Sequence, residues 1–142
     1  MIAVVLAGTP QQRDDAFAVR IAVFVDEQGI PSNEELDDHD ATAVHCVAYD
    51  GPTPVGAGRL LLSDGYAKVG RMAVLPPRRG EGIGRLILEA LEREAAARGA
   101  PVLRLSAQLH ASDFYERAGY RRDGDIYDEV GIPHVAMEKQ LP

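Results

Sequence analysis

"LPPRRGEGIGRL", residues Leu75–Leu86, sets Gly80, Gly82 and Gly84 directly ahead of the helix-forming run "RLILEALEREAAAR". A glycine inside a helix costs about 1 kcal/mol relative to alanine, so three at a helix start need a compensating use. The first turn of a helix presents unpaired N–H groups and a partial positive charge. A glycine-lined turn lets a phosphate come close to that backbone. Arg78, Arg79 and Arg85 add positive charge at the same end. The stretch therefore reads as an anion-binding loop, against the plainer alternative of a strand-to-helix connection that binds nothing. It is not a P-loop, because Arg85 and Leu86 stand where Lys and Ser/Thr belong, and it misses the last glycine of the dinucleotide fingerprint at Ile87. What remains is Arg79-x-x-Gly82-x-Gly84.

Outward from the loop, the apolar stripe Ile83, Leu86, Ile87, Ala90, Leu91 predicts a helix from about Gly82 to Arg98, with Gly99 closing it. Upstream, "AVHCVAYD", "VGAGRLLLS" and "YAKVGRMAVL" read as three strands separated by the turn signals "GPTP" and "DG". Ile2–Leu6 reads as a first strand, and Thr9-Pro10 as the cap and first position of a helix to about Val25. "GIPSNEELDDHD" reads as a loop or short helix. Downstream come a strand, "PVLRLSA", a short helix, "ASDFYERAG", and two strands around "YRRDGDIYDEV" and "HVAMEKQL". Tight turns make the first strands an antiparallel meander, and the long helix makes a parallel crossover. The expected fold is α+β, a mixed sheet with helices, in one domain spanning residues 1–142.

The chain has 142 residues, 46% of them hydrophobic and 26% charged, with a formal net charge of −7. That composition is globular. Its acidity argues against nucleic-acid binding, which uses a basic face. Cys46 is the one cysteine, so no internal disulfide is expected. No apolar run approaches the roughly 20 residues that span a bilayer. A cytoplasmic location is expected, with no membrane partner and no metal.

The loop "RRGEGIG" and the segment "AQLHASDFYERAGY" together resemble the GNAT N-acetyltransferase superfamily. The first is similar to that family's pyrophosphate loop. The second reads Gln108-x-x-Ala111-x-x-Phe114-Tyr115-x-x-x-Gly119-Tyr120 and looks like its Asn-x-x-Ala-x-x-Phe/Leu-Tyr-x-x-x-Gly-Phe segment. "VRIAVFVDEQGIPSNEELDDHDATAVH" and "GIPHVAMEK" are similar to the ElaA/YjcF-type subgroup. The resemblance implies transfer of an acetyl group from acetyl-CoA to a primary amine, with a small molecule favoured over a protein N-terminus or lysine as acceptor. A non-catalytic acyl-CoA-binding module is the alternative, and a homodimer is left open.

By the same resemblance, Arg79, Gly80, Glu81, Gly82, Ile83 and Gly84 would hold the pyrophosphate, and the strand Met72, Ala73, Val74 would pair with the pantetheine arm. Gln108 stands where the family carries Asn beside that arm. Tyr115 matches the general acid, a role suited to a phenol that keeps its proton at neutral pH. The base is open among Glu27, Glu35, His45, His110 and His134, and solvent is a further candidate. Glu27 and Gln28, at the end of the first helix, would line the acceptor site. His45 and Cys46 alternate along a strand, so one is expected in the core and the other toward a cleft. The acidic run "EELDDHD" reads as a solvated loop or as an attractor for a cationic substrate.

Overall fold

Each turn signal in the first half of the chain becomes a hairpin or a cap in the computed structural model, which describes residues 1–142. The elements are β1 (Ile2–Leu6), α1 (Pro10–Arg20), α2 (Ser32–Glu35), β2 (Val44–Asp50), β3 (Thr53–Ser63), β4 (Tyr66–Val74), α3 (Ile83–Ala97), β5 (Val102–Gln108), α4 (Ser112–Arg117), β6 (Arg121–Arg122), β7 (Tyr127–Glu129) and β8 (Ile132–Gln140). The sheet runs β1-β2-β3-β4-β5-β8-β6, with β7 also on β8. Only β4 and β5 pair in parallel, and α3 is the crossover between them. The fold is thus the expected mixed sheet with helices.

Local chemistry explains most boundaries. Thr9 Oγ1 accepts the Gln12 N–H at 3.2 Å, with Pro10 at the first helical position. α1 does not end at Val25. After Arg20 it widens into a π-helix, Ile21–Glu27, whose end is marked by the Gln28 N–H donating to the Val23 carbonyl at 3.0 Å. "YRRDGDIYDEV" is not one strand. It breaks at Gly124, which takes φ +111°, into β6 and β7, and both pair with β8.

The sheet is covered on both faces. On one, α3 buries Ile83, Ile87, Leu88, Leu91 and Ala95 against β2–β5. Each fully buried aliphatic side chain contributes about 1.5–3 kcal/mol. Leu86, expected in that stripe, is exposed and Leu88 takes the buried place. α3 lies so close to β3 that a Cβ on Gly56 or Gly58 would meet Ile87 at 2.7 and 2.8 Å. On the other face, α1 and the π-helix bury Ala16, Val19, Val23 and Phe24 over Val47, Ala57 and Ala73. His45 and Cys46 are therefore both buried, one under each layer.

The acidic run is not a simple solvated loop: Glu34 and Asp38 stay exposed, but Glu35, Asp37 and Asp40 are held by arginines. Arg20, 1% exposed, donates from Nε to Glu35 at 2.8 Å and from Nη1 to Asp40 at 2.8 Å. Arg59 on β3 donates from Nη1 to Asp37 at 2.8 Å and to Asp40 at 2.9 Å. Arg71 on β4 reaches Asp37 at 3.2 Å and Glu35 at 3.3 Å. Three arginines from three elements thus fold the segment 35–40 down onto the sheet. Burial works to raise the Asp40 pKa, but hydrogen bonds from Arg20 and Arg59 hold it well below the ordinary aspartate value of 3.8.

A group depressed in the folded state stabilises fully above its unfolded pKa, and that stabilisation is lost as the pH falls through the folded one. The Asp40 contribution is thus complete above 3.8 and drains away below it. Asp40→Asn leaves two buried guanidinium groups short of charge and should cost about 3–5 kcal/mol at pH 7. Urea titrations at pH 7 and pH 3 check this: the gap between variant and parent should narrow at the lower pH.

Candidate active site

Parallel pairing between β4 and β5 covers only Ala67–Val69 against Leu103–Leu105. Beyond that rung β4 stays with β3, up to Gly56 opposite Val74, while β5 stays with β8, up to Gln108 opposite His134. The two strands therefore part. A bulge drives the parting: the β3–β4 register shifts between Ala57 and Arg59, and Arg71 sits at φ +55°. Bulges add local twist and bend the strand that carries them. The edge of β4 over Met72, Ala73 and Val74 is left without a strand partner on the β5 side. It walls a cleft of about 720 Å³.

The glycine turn opens beside this cleft. Gly80 and Gly82 take φ +82° and +84°, a region that costs other residues roughly 1–2 kcal/mol, and a Cβ on either would meet nothing within 4 Å. No side chain caps α3. Its first N–H groups are therefore free to meet an anion, with Ile83 buried beneath them as an anchor. Gly84 is more enclosed: a Cβ there would touch the Phe114 ring of α4 at 3.4 Å.

The basic cluster is mostly spoken for. Arg78 pairs with Asp50 at 2.7 Å and with Glu81 at 3.0 Å. Arg79 donates to both carboxylate oxygens of Glu27, at 2.8 and 2.6 Å, and from Nε to the Val74 carbonyl at 2.9 Å. The Arg79 hydrogen bonds lower the Glu27 pKa, which suits an ion-pair partner better than a base. Next to it, Gln28 exchanges two hydrogen bonds with Gln108, at 3.1 and 2.8 Å, and His110 Nε2 lies 2.6 Å from Gln108 Oε1. The end of the π-helix is thus tied to both lips of the cleft.

Tyr115 lines the cleft from α4, 8% exposed, with Phe114 and Tyr120 edge-on at 5.0 and 5.9 Å. Burial raises its phenol pKa, so the hydroxyl keeps its proton. His134 lines the opposite wall, with Nδ1 2.7 Å from the Ile132 carbonyl and Nε2 3.3 Å from Glu129. His45 is not in the cleft. Its ring packs edge-on to Phe17 at 5.1 Å, its Nε2 meets the Asp40 carbonyl at 2.8 Å, and burial lowers its pKa. Glu35 reaches the cleft wall, but it is 2% exposed and held by Arg20. Cys46 lies in the α3-side core, where burial pushes its thiol up to about 12. Arg71, Lys68, Ser106 and Glu129 also line the cleft. Alternation along β4 and β5 carries the signal for Lys68 and Ser106, since both point away from the buried Val69 and Leu105.

A splayed parallel pair beside a glycine-turned helix start defines the class of protein. The sequence matches the acetyltransferase (GNAT) domain family over residues 12–141, and the chain belongs to that family. It is 45% identical over 137 residues to YjcF of Bacillus subtilis, described as an uncharacterised N-acetyltransferase, covering 95% of this chain and 97% of that protein. The crystal structure of Escherichia coli ElaA superposes with a TM-score of 0.87 at 28% identity, covering 99% of this chain and 100% of that one. An aminoglycoside 6'-N-acetyltransferase complexed with coenzyme A shares the fold, with a TM-score of 0.74 at 18% identity and coverage of 100% and 98%.

Glu27 occupies the Arg79 guanidinium and would compete there with an incoming anion. Glu27→Gln should therefore tighten coenzyme A binding severalfold, as calorimetry at low salt would read. Equal or weaker affinity would mean that Arg79 serves Glu27 alone.

Proposed function

We propose that the protein is an N-acetyltransferase that moves an acetyl group from acetyl-CoA directly to a primary amine of a small molecule. The observation that carries this is the opening of β4 and β5 beside the uncapped start of α3, with Tyr115 lining the same cleft. Gly80, Glu81, Gly82, Ile83 and Gly84 would cradle the pyrophosphate through backbone N–H groups. Arg79, once it exchanges Glu27 for phosphate, and Arg85 would add charge. The free edge of β4 at Met72–Val74 would take the pantetheine arm as an added strand takes its neighbour. A backbone N–H of that edge would polarise the thioester carbonyl. The amide pair Gln28–Gln108 would bound the arm on the far side.

In the reaction the amine nitrogen bonds to the acyl carbon and the carbon–sulfur bond breaks. His134 is the best-placed base. Its Nδ1 is engaged by a backbone carbonyl, and Nε2, 3.3 Å from the exposed Glu129, would take the amine proton once the amine displaces that carboxylate. Tyr115 would return a proton to the departing thiolate. Burial raises the phenol's pKa, so the hydroxyl would hold its proton until the thiolate forms.

A thermal-shift titration with acetyl-CoA tests the donor, with ATP and NAD as controls. At 100 times its dissociation constant a ligand stabilises by about 2.7 kcal/mol, which is roughly 5–10 °C for a chain of this size. A shift with ATP or NAD instead would remove the reading. With an acceptor in hand, Tyr115→Phe should lower kcat at least 100-fold, within the usual range for an acid–base group, and keep the acetyl-CoA shift. Unchanged turnover would take the acid role from Tyr115. Binding with no turnover of any amine would leave the acyl-CoA-binding module.

A further inference from the structure

The cleft walls carry charges of both signs, and the way they pair among themselves leaves a residue. Arg79 is held by Glu27, Arg59 by Asp37 and Asp40, and Arg71 by Glu35 and Asp37. Lys68 alone among the cationic side chains of the cleft has no carboxylate, carbonyl or aromatic partner. Its flanking residues across the sheet are Leu61 and Arg104. Arg104 is itself committed, lying 4.4 Å over the Tyr66 ring and 3.4 Å from Glu138. Glu34, on α2 above the same cleft, is the matching case on the negative side, since its carboxylate pairs with no cation.

Position makes the lysine informative. Lys68 is exposed and sits on the middle of the three paired rungs of β4 and β5, one rung before the opening, on the sheet face away from the α3 core. The next residue on that face is Gly70, where a Cβ would meet nothing within 4 Å. Ser106, two residues past Arg104 on the neighbouring strand, hydrogen-bonds the Tyr127 hydroxyl over the same floor. Two strand residues span roughly 6.6 Å, so the backbone from which Lys68 springs and the start of the opening are separated by about that distance, within the reach of a lysine side chain.

We propose that Lys68 is the carboxylate anchor of the acceptor site, and that the acceptor is an amino acid or a close analogue carrying amine and carboxylate together. Lys68 binds the carboxylate, Glu34 meets the incoming ammonium, and the empty space over Gly70 holds the carbons between. The inference rests on the transferase reading and narrows its acceptor.

The test measures thiol release from acetyl-CoA with the protein amino acids, their carboxamides and spermidine as acceptors. Acetyl-CoA stabilisation is measured in parallel. In the parent protein at least one amino acid should exceed its carboxamide in kcat/KM by tenfold or more. In Lys68→Met that ratio should fall toward one through a raised KM for the acid, and Lys68→Arg should restore part of it. Preference for carboxamides or spermidine overturns the proposal. So does an equal loss on acid and carboxamide in Lys68→Met, or the turnover of no amino acid by a protein that acetyl-CoA stabilises. Failure of acetyl-CoA to stabilise the protein removes the transferase reading itself, and is thereby told apart from failure of the anchor.

Discussion

The guanidinium of Arg20 holds the α2 side of the cleft together. It is 1% exposed and joins α1 to Glu35 and Asp40 through four hydrogen bonds of 2.8–3.1 Å. A buried ion cluster is a poor source of stability in itself, because desolvation offsets most of the attraction, and apolar replacements of similar volume often do as well. Its effect is positional. Apolar residues at 35–40 could slide over the sheet, whereas each carboxylate here must reach a guanidinium at a fixed place on α1, β3 or β4. Glu34 and Glu35 are thereby set on the wall of the cleft, and Arg71 is held in its left-handed conformation by donating to the Glu35 and Glu34 carbonyls at 3.1 and 3.4 Å.

The bulge at Arg71 connects that cluster to the opening of the sheet. A β4 of regular pleat would keep its pairing with β5 through Val74, and the cleft would close. Instead the ladder has three rungs and then stops. The unpaired edge would be an aggregation liability on an exposed strand. Here it is overhung by the end of the π-helix, which is tied to Arg79 on one lip and to Gln108 on the other. A π-helix carries its residues around the axis at a spacing that α-helical geometry cannot match, which is one reason such turns occur near functional sites. In this chain it sets two successive residues, Glu27 and Gln28, against the two separate lips.

What the sequence made legible was local. The glycine turn, the Thr9 cap, the DG hairpin and the α3 start each rest on backbone chemistry within a few residues, and each stands where it was expected. The role of the acidic run was hidden because its partners, Arg20, Arg59 and Arg71, lie 15 to 37 positions away. Nothing near "EELDDHD" indicates that three arginines converge on it. The expectation that one of His45 and Cys46 faces a cleft failed for a related reason. Alternation along a strand separates two faces but says nothing of whether each is covered, and here α3 covers one and α1 the other. The contact between Gly84 and the Phe114 ring was likewise out of view, because it exists only once α4 is docked.

The electrostatics of the cleft then follow from geometry rather than from net charge. A chain at −7 would be expected to repel a polyanion such as coenzyme A. Its carboxylates are, however, largely consumed in pairs around the site: Glu27 with Arg79, Glu81 and Asp50 with Arg78, and the 35–40 cluster with its arginines. The long-range field is acidic, but the local field at the α3 start is set by backbone N–H groups and Arg85, with Arg79 in reserve. On the proposed function, exchange at Arg79 would cost little, because one carboxylate on a half-exposed guanidinium would give way to a phosphate of greater charge. The ion pair seen across the mouth of the cleft would then hold the π-helix end in place without the donor and yield to it.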